Sequence, residues 1–134
     1  MLTEKDYCDY DTCVALKKLG YKEKTLAYYT SEKFFHWNRA YIYDVSIPDL
    51  ARSDNKKGYK HIVDAVSLWE AQKWLREEKA IHIEVMYHSY IGWYEYLVCV
   101  NDVTVAEGSA FPSYEDALKT AIYMAVEHLK KGKV

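Results

Sequence analysis

IHIEVMYHSYIGWYEYLVCVNDVTVA, residues 81–106, is the stretch whose reading decides the fold of this chain. Its first eight residues alternate with a period of two. Ile81, Ile83, Val85 and Tyr87 take one face, and His82, Glu84, Met86 and His88 take the other. Gly92 falls in a connection, and two more extended runs follow, Trp93 to Val100 and Val103 to Ala106. Between them stands Asn101-Asp102, a pair that tolerates the positive φ of a primed hairpin turn. A two-residue loop sets Val100 opposite Val103 and Val98 opposite Val105. Tyr94, Tyr96, Val98, Val100, Val103 and Val105 then share one face. The reading is a three-strand antiparallel meander.

Both flanks of the meander read as helix. Downstream, Ser113 is an N-cap, and Glu115 and Asp116 suit the positive first turn. Ala117, Leu118, Ala121, Ile122, Ala125 and Leu129 form the apolar stripe that follows, and Lys130, Lys131 and Gly132 close it. Upstream, Ser67-Leu68-Trp69-Glu70 has the form of a capping box. The Ser67 hydroxyl accepts from the Glu70 amide, and the Glu70 side chain returns a bond. Leu68, Ala71, Trp74 and Leu75 continue at helical spacing, and the helix should stop near residues 78–80. Laid on the valine face, the two helices give a two-layer α+β sandwich. The opposite face carries Trp93, Leu97, Cys99, Thr104 and Ala106, which is apolar for a sheet facing water. An N-terminal aromatic hairpin is expected to cover it in preference to a second subunit, because covalent attachment lowers the entropic cost of docking.

That hairpin is read within residues 28–45, where Tyr28, Tyr29, Phe34, Phe35, Trp37, Tyr41 and Tyr43 cluster. Asn38-Arg39-Ala40 separates its two aromatic runs. Before it, Val14, Ala15, Leu16 and Leu19 mark a short helix capped by Asp9 or Asp11 and ended at Gly20. Residues 49–60 are polar and contain Gly58, which reads as an exposed loop and as the one internal seam of a single 1–134 domain. No repeat or low-complexity tract interrupts the chain.

Composition sets the outer bounds. A chain of 134 residues has the length of one domain, and a half-apolar composition excludes intrinsic disorder. With 18 Lys and Arg against 20 Asp and Glu the net charge is −2, so no global basic footprint draws the chain to nucleic acid. The N-terminus, Met1-Leu2-Thr3-Glu4-Lys5-Asp6, lacks the apolar run of a signal peptide. No apolar window approaches a membrane span. Three cysteines, Cys8, Cys13 and Cys99, fit free thiols in a reducing cytoplasm better than a disulfide framework. The unusual count is tyrosine, 14 against 4 Trp and 3 Phe.

Sites are sparse in this sequence. His82, Glu84 and His88 share a strand face and are metal-ligand types, but His82 and Glu84 alone stand about 7 Å apart along a strand. One ion would not gather all three without a bulge. His82-x-Glu84 also has the H-x-E of zinc deaminases, without the P-C-x-x-C that must follow. Cys8 and Cys13 lie about 140° apart around a helix, poorly placed for one metal. Cys99 reads as a packed sheet residue. No phosphate-binding glycine loop and no nucleophile elbow occurs. The reading assigns no catalytic residue, cofactor or metal. For binding it selects Tyr87, Tyr90 and Trp93, the aromatic connection between the first two meander strands, because exposed Tyr and Trp give rigid amphipathic contact area.

The run S-L-W-E-A-Q-K-W-L-R-E-E-K-A-I-H-I-E, residues 67–84, resembles a group of small proteins of unknown function encoded in phages and prophages of gut bacteria. The likeness extends to the aromatic hairpin and to the closing helix opened by S-Y-E-D-A. It carries no catalytic residues across. It implies a bacterial cytoplasm and a small accessory role. The function expected is therefore non-catalytic protein–protein contact, with a second copy of the chain among the partners. The alternative is a nucleic-acid-associated module, since helix–three strands–helix is also the order of the double-stranded-RNA-binding domain. Glu115 and Asp116 stand where that domain needs basic residues. A metal-dependent enzyme built on His82, Glu84 and His88 is the third reading.

Overall fold

The computed structural model describes residues 2–23, 25–30, 35–37 and 63–132. They form an α+β fold with two three-stranded antiparallel sheets. The chain divides into two compact units, Tyr7–Val66 and a second one combining Met1–Asp6 with Ser67–Val134.

The N-terminal unit contains α1 (Tyr10–Lys18), β1 (Ala27–Tyr29), β2 (Phe35–Trp37) and β3 (Val63–Ala65). Asp9 caps α1, its carboxylate accepting from the Thr12 amide at 2.9 Å, and Gly20 follows the helix with φ of +112°. Both ends are those expected from the sequence. The sheet order is β2-β1-β3. β1 does pair with an aromatic strand, but the pairing is Tyr28 with His36 and Tyr29 with Phe35. Both paired strands therefore precede Asn38-Arg39-Ala40 in the sequence. Residues 38–45, with Tyr41 and Tyr43, and the loop and seam read at 49–60 lie outside the described residues. β3 was not anticipated, because three residues are too few to show a period.

Aromatic rings make much of this unit's core. Tyr7, Tyr21 and Tyr29 are buried with Leu16, Ala27, Val63 and Ala65. The Tyr29 hydroxyl donates to the Cys8 carbonyl at 2.7 Å, so a buried phenol is satisfied. Cys8 and Cys13 are buried free thiols. The Cys13 thiol accepts from the Val66 amide at 3.4 Å and donates to the Cys8 carbonyl at 3.6 Å. A single sulfur thus ties α1 to the chain leaving β3.

The C-terminal unit contains α2 (Leu68–Lys79), β4 (Ile81–His88), β5 (Trp93–Val100), β6 (Val103–Phe111) and α3 (Tyr114–Lys131). Ser67 caps α2 by accepting from the Glu70 amide at 3.2 Å. The return bond differs from the expected box, since the Ser67 hydroxyl donates to the Glu70 carboxylate at 2.7 Å. Ala80 ends the helix in the left-handed region at φ of +55°. Trp74 is only half-buried, with the Lys79 ammonium 5.4 Å from its ring centroid. Ser113 caps α3 as expected, accepting from the Asp116 amide at 3.1 Å.

The sheet order is β4-β5-β6. Asn101 and Asp102 take φ of +51° and +65°, the primed turn read from the sequence, and Val100 faces Val103. The expected register holds for only one further residue. Cys99 faces Thr104, then Val98 faces Ala106 in place of Val105, because a one-residue bulge inserts Val105. Ala106 and Gly108 thereby move onto the face of Val98 and Tyr96, while Val103 is left 60% exposed. A second irregularity between Tyr94 and Tyr96 sets Phe111 opposite Tyr94, with Ala110 at φ of +70°. β6 runs on to Phe111, beyond the Ala106 at which the apolar alternation ends.

Both helices pack on the face of Ile81, Ile83, Tyr96 and Val98, which are buried with Leu68, Ala71 and Leu75 of α2. Ala117, Leu118, Ala121, Ile122, Ala125 and Val126 of α3 complete this core. The small residues of α3 let it approach the sheet closely. Gln72 on α2 donates from Nε2 to the Ile83 carbonyl at 3.1 Å.

Candidate functional site

The aromatic residues selected from the sequence gather at the β4–β5 connection, but the plane of the sheet divides them. Tyr87 and Tyr94 are partners in the β4–β5 register, on the face the helices cover. Their rings lie 4.8 Å apart, and Tyr94 meets Tyr114, the first residue of α3, edge-on at 6.2 Å. Three tyrosines thus run from the edge strand to the start of the last helix. Tyr94 and Tyr114 are half-buried, whereas Tyr87 is 54% exposed. The strand alternation that predicts an inward Tyr87 is not a guide to burial at this end of the edge strand.

The connection itself is tight. The His88 carbonyl accepts from the Gly92 amide at 2.7 Å and from the Ile91 amide at 3.2 Å, and Gly92 takes φ of +82°. That geometry projects Tyr90, 87% exposed, and Ile91, 44% exposed, from the tip. Tyr90 and Ile91 at the tip and Tyr87 at the end of β4 are thus the exposed large apolar residues of this connection, and Tyr87 packs on Tyr94. Ile91 was missed by the sequence reading, which weighed only rings.

Trp93 belongs elsewhere. It pairs with His88 on the opposite sheet face, where it is half-buried. That face also holds His82, Glu84, Met86, Glu95, Leu97 and Cys99. His82, Glu84, Thr104 and Glu107 on it are exposed. His88 Nε2 lies 2.9 Å from Glu95 Oε1, an ion-pair separation without hydrogen-bond alignment. His82 faces Cys99 and Glu84 faces Leu97, so the strand spreads the three metal-ligand types along its length. Among the described residues no three His, Cys, Asp or Glu side chains converge on a metal-sized site. The Cys99 thiol sits 3.8 Å from the Thr104 hydroxyl.

The order α2-β4-β5-β6-α3 is the helix–three strands–helix order expected, with both helices on one face. Its last helix opens on Glu115 and Asp116. A phosphate backbone brought to this helix start would meet two carboxylates. Among the described residues no helix is long and apolar enough to cross a membrane. No known protein family, curated protein or solved structure matches the chain.

Proposed function

We propose that this chain is a non-catalytic accessory protein acting by protein–protein contact through Tyr87, Tyr90 and Ile91. One observation carries the reading, the exposure of Tyr90 and Ile91 on a tight turn and of Tyr87 beside it, with the Tyr87 ring packed on Tyr94. Tyrosine supplies large contact area with few rotatable bonds, so little entropy is lost when it is immobilised at an interface. The packed Tyr87–Tyr94 pair lowers that cost further by holding one ring in place before any partner arrives. The resemblance of residues 67–84 to phage- and prophage-encoded proteins adds a bacterial cytoplasm as the setting of the proposal. A nucleic-acid role has less support, since Glu115 and Asp116 oppose it.

Self-association is the simplest form of this function to test. Light scattering coupled to sizing, run over a range of concentrations, should show wild type moving from monomer to dimer. The Y87S/Y90S variant should stay monomeric and keep its fold, at a cost of about 0.5–1.5 kcal/mol for the lost Tyr87–Tyr94 ring contact. A wild type that remains strictly monomeric throughout would leave the second copy without support as a partner.

A further inference from the structure

Asp64 is the chemistry-bearing residue of the N-terminal unit that the sequence reading passed over. It stands between Val63 and Ala65, both buried on the face of β3 that meets the core. Its own side chain lies on the other face, opposite Tyr28 of β1, which in turn faces His36 of β2. The Tyr28 and His36 rings stack at 5.2 Å and 21°. One oxygen of the Asp64 carboxyl, Oδ1, is shut off from solvent with no hydrogen-bond partner. The Thr30 hydroxyl, two residues beyond Tyr28 on that face, is also buried without a partner.

A carboxylate with one oxygen shut off and unpartnered loses hydration there that no hydrogen bond replaces, whereas a neutral carboxyl loses far less. Lys17 on α1 is the opposing charge, and its attraction offsets only part of the loss. Burial dominates, and the Asp64 carboxyl is raised from 3.8 to about 6.

We propose that the β1–β3 pairing of the N-terminal unit is a proton-sensitive element, tightened when Asp64 is neutral and loosened when it ionises against its unpartnered surroundings. The sign follows from linkage. Between pH 3.8 and about 6 the folded unit binds more protons at Asp64 than the unfolded chain does. Stability from this residue is therefore fully present at low pH and is lost as pH rises through that window. Among the described residues Tyr28 and His36 are the titratable neighbours in the row, and Lys17 on α1 is the charge that acts on Asp64.

Hydrogen exchange on the full chain tests the proposal. Protection factors for residues 27–29 and 63–65, corrected for the intrinsic rate, are measured at pH 4 and pH 7 in wild type and D64N. The ratio of D64N to wild-type protection should rise about tenfold from pH 4 to pH 7, the full linkage being reduced by partial solvation of the carboxyl. A ratio flat with pH overturns the proposal. The rise must survive in an H36Q background, and its disappearance there would assign the effect to His36 instead. Should D64N fail to fold, K17M provides the second test, because losing the attractive charge moves the fall in protection to higher pH. An unchanged pH profile in K17M would then overturn the proposal.

Discussion

Gly108 on β6 is the position where a single methyl group tests the bulged register of the C-terminal sheet. A Cβ added there would lie 2.5 Å from Cε2 of Tyr96, 3.1 Å from its Cζ and 3.2 Å from its hydroxyl. The ring has little room to yield. Tyr96 is 4% exposed, packs 5.7 Å from the Phe111 ring and sits beneath α3. Relaxing the contact to an ordinary separation of about 3.5 Å needs a ring shift of about 1 Å. Overpacking of this kind costs about 1–3 kcal/mol. Against it stands the gain of about 0.4–1 kcal/mol that Gly→Ala brings where the backbone accepts alanine. G108A should therefore destabilise by about 1–2 kcal/mol, lowering a urea midpoint by roughly 1 M for an m-value near 1.5 kcal/mol/M. The decisive arm is a double-mutant cycle. In a Y96L background the clashing atoms are gone, so G108A should become neutral or stabilising, with a coupling of about 1–3 kcal/mol. If G108A has the same effect in both backgrounds, Gly108 does not lie under Tyr96 and the register through the bulge is wrong.

Two further outcomes follow from local backbone and hydrogen-bond geometry. Ala80 and Ala110 hold φ of +55° and +70°, where an L side chain is disfavoured, so A80G and A110G should each stabilise by about 0.5–1 kcal/mol in chemical denaturation. Destabilisation by A80G would contradict the left-handed end of α2. C13A removes the acceptor of the Val66 amide and the donor to the Cys8 carbonyl, and should cost about 1–3 kcal/mol. C13S, which keeps a hydroxyl in that position, should recover part of the loss; equal loss in both variants would assign the cost to volume alone.

The C-terminal unit was legible because its signals are local and repeated. Ser67 and Ser113 cap helices where the pattern places caps, and Asn101-Asp102 makes the turn its residue types favour. The bulge at Val105 was not legible. Alternating Val103, Thr104, Val105 and Ala106 reads equally well in an unbroken strand, and the bulge's benefit appears only in three dimensions. It brings small residues, Ala106 and Gly108, under bulky Val98 and Tyr96. In the N-terminal unit the aromatic composition of β1 and β2 was visible, while their pairing register and the partner strand β3 were not. Strands of three residues carry too little periodicity to set a register, and β3 joins β1 across more than thirty intervening residues. Pairing at that separation is decided by packing, which a local pattern does not record.

The tyrosine excess bears on both the fold and the candidate site, and the two uses are separable by burial. Tyr7, Tyr21, Tyr29 and Tyr96 are each 5% exposed or less. Tyr29 binds the Cys8 carbonyl and Tyr96 fills the space over a glycine. These rings serve packing, and burial pushes the Tyr96 phenol above its ordinary value. Tyr94 and Tyr114 are half-covered and support Tyr87. Tyr87 and Tyr90 then remain on the solvent side with Ile91. Counting tyrosines or reading strand parity could not reach this division, because parity placed Tyr87 with the core residues Ile81 and Ile83. In the structure Tyr87 stands near the end of edge strand β4 and is 54% exposed all the same. Of the exposed rings Tyr87 is the one held by a neighbour, Tyr94, which is itself half-buried against Tyr114.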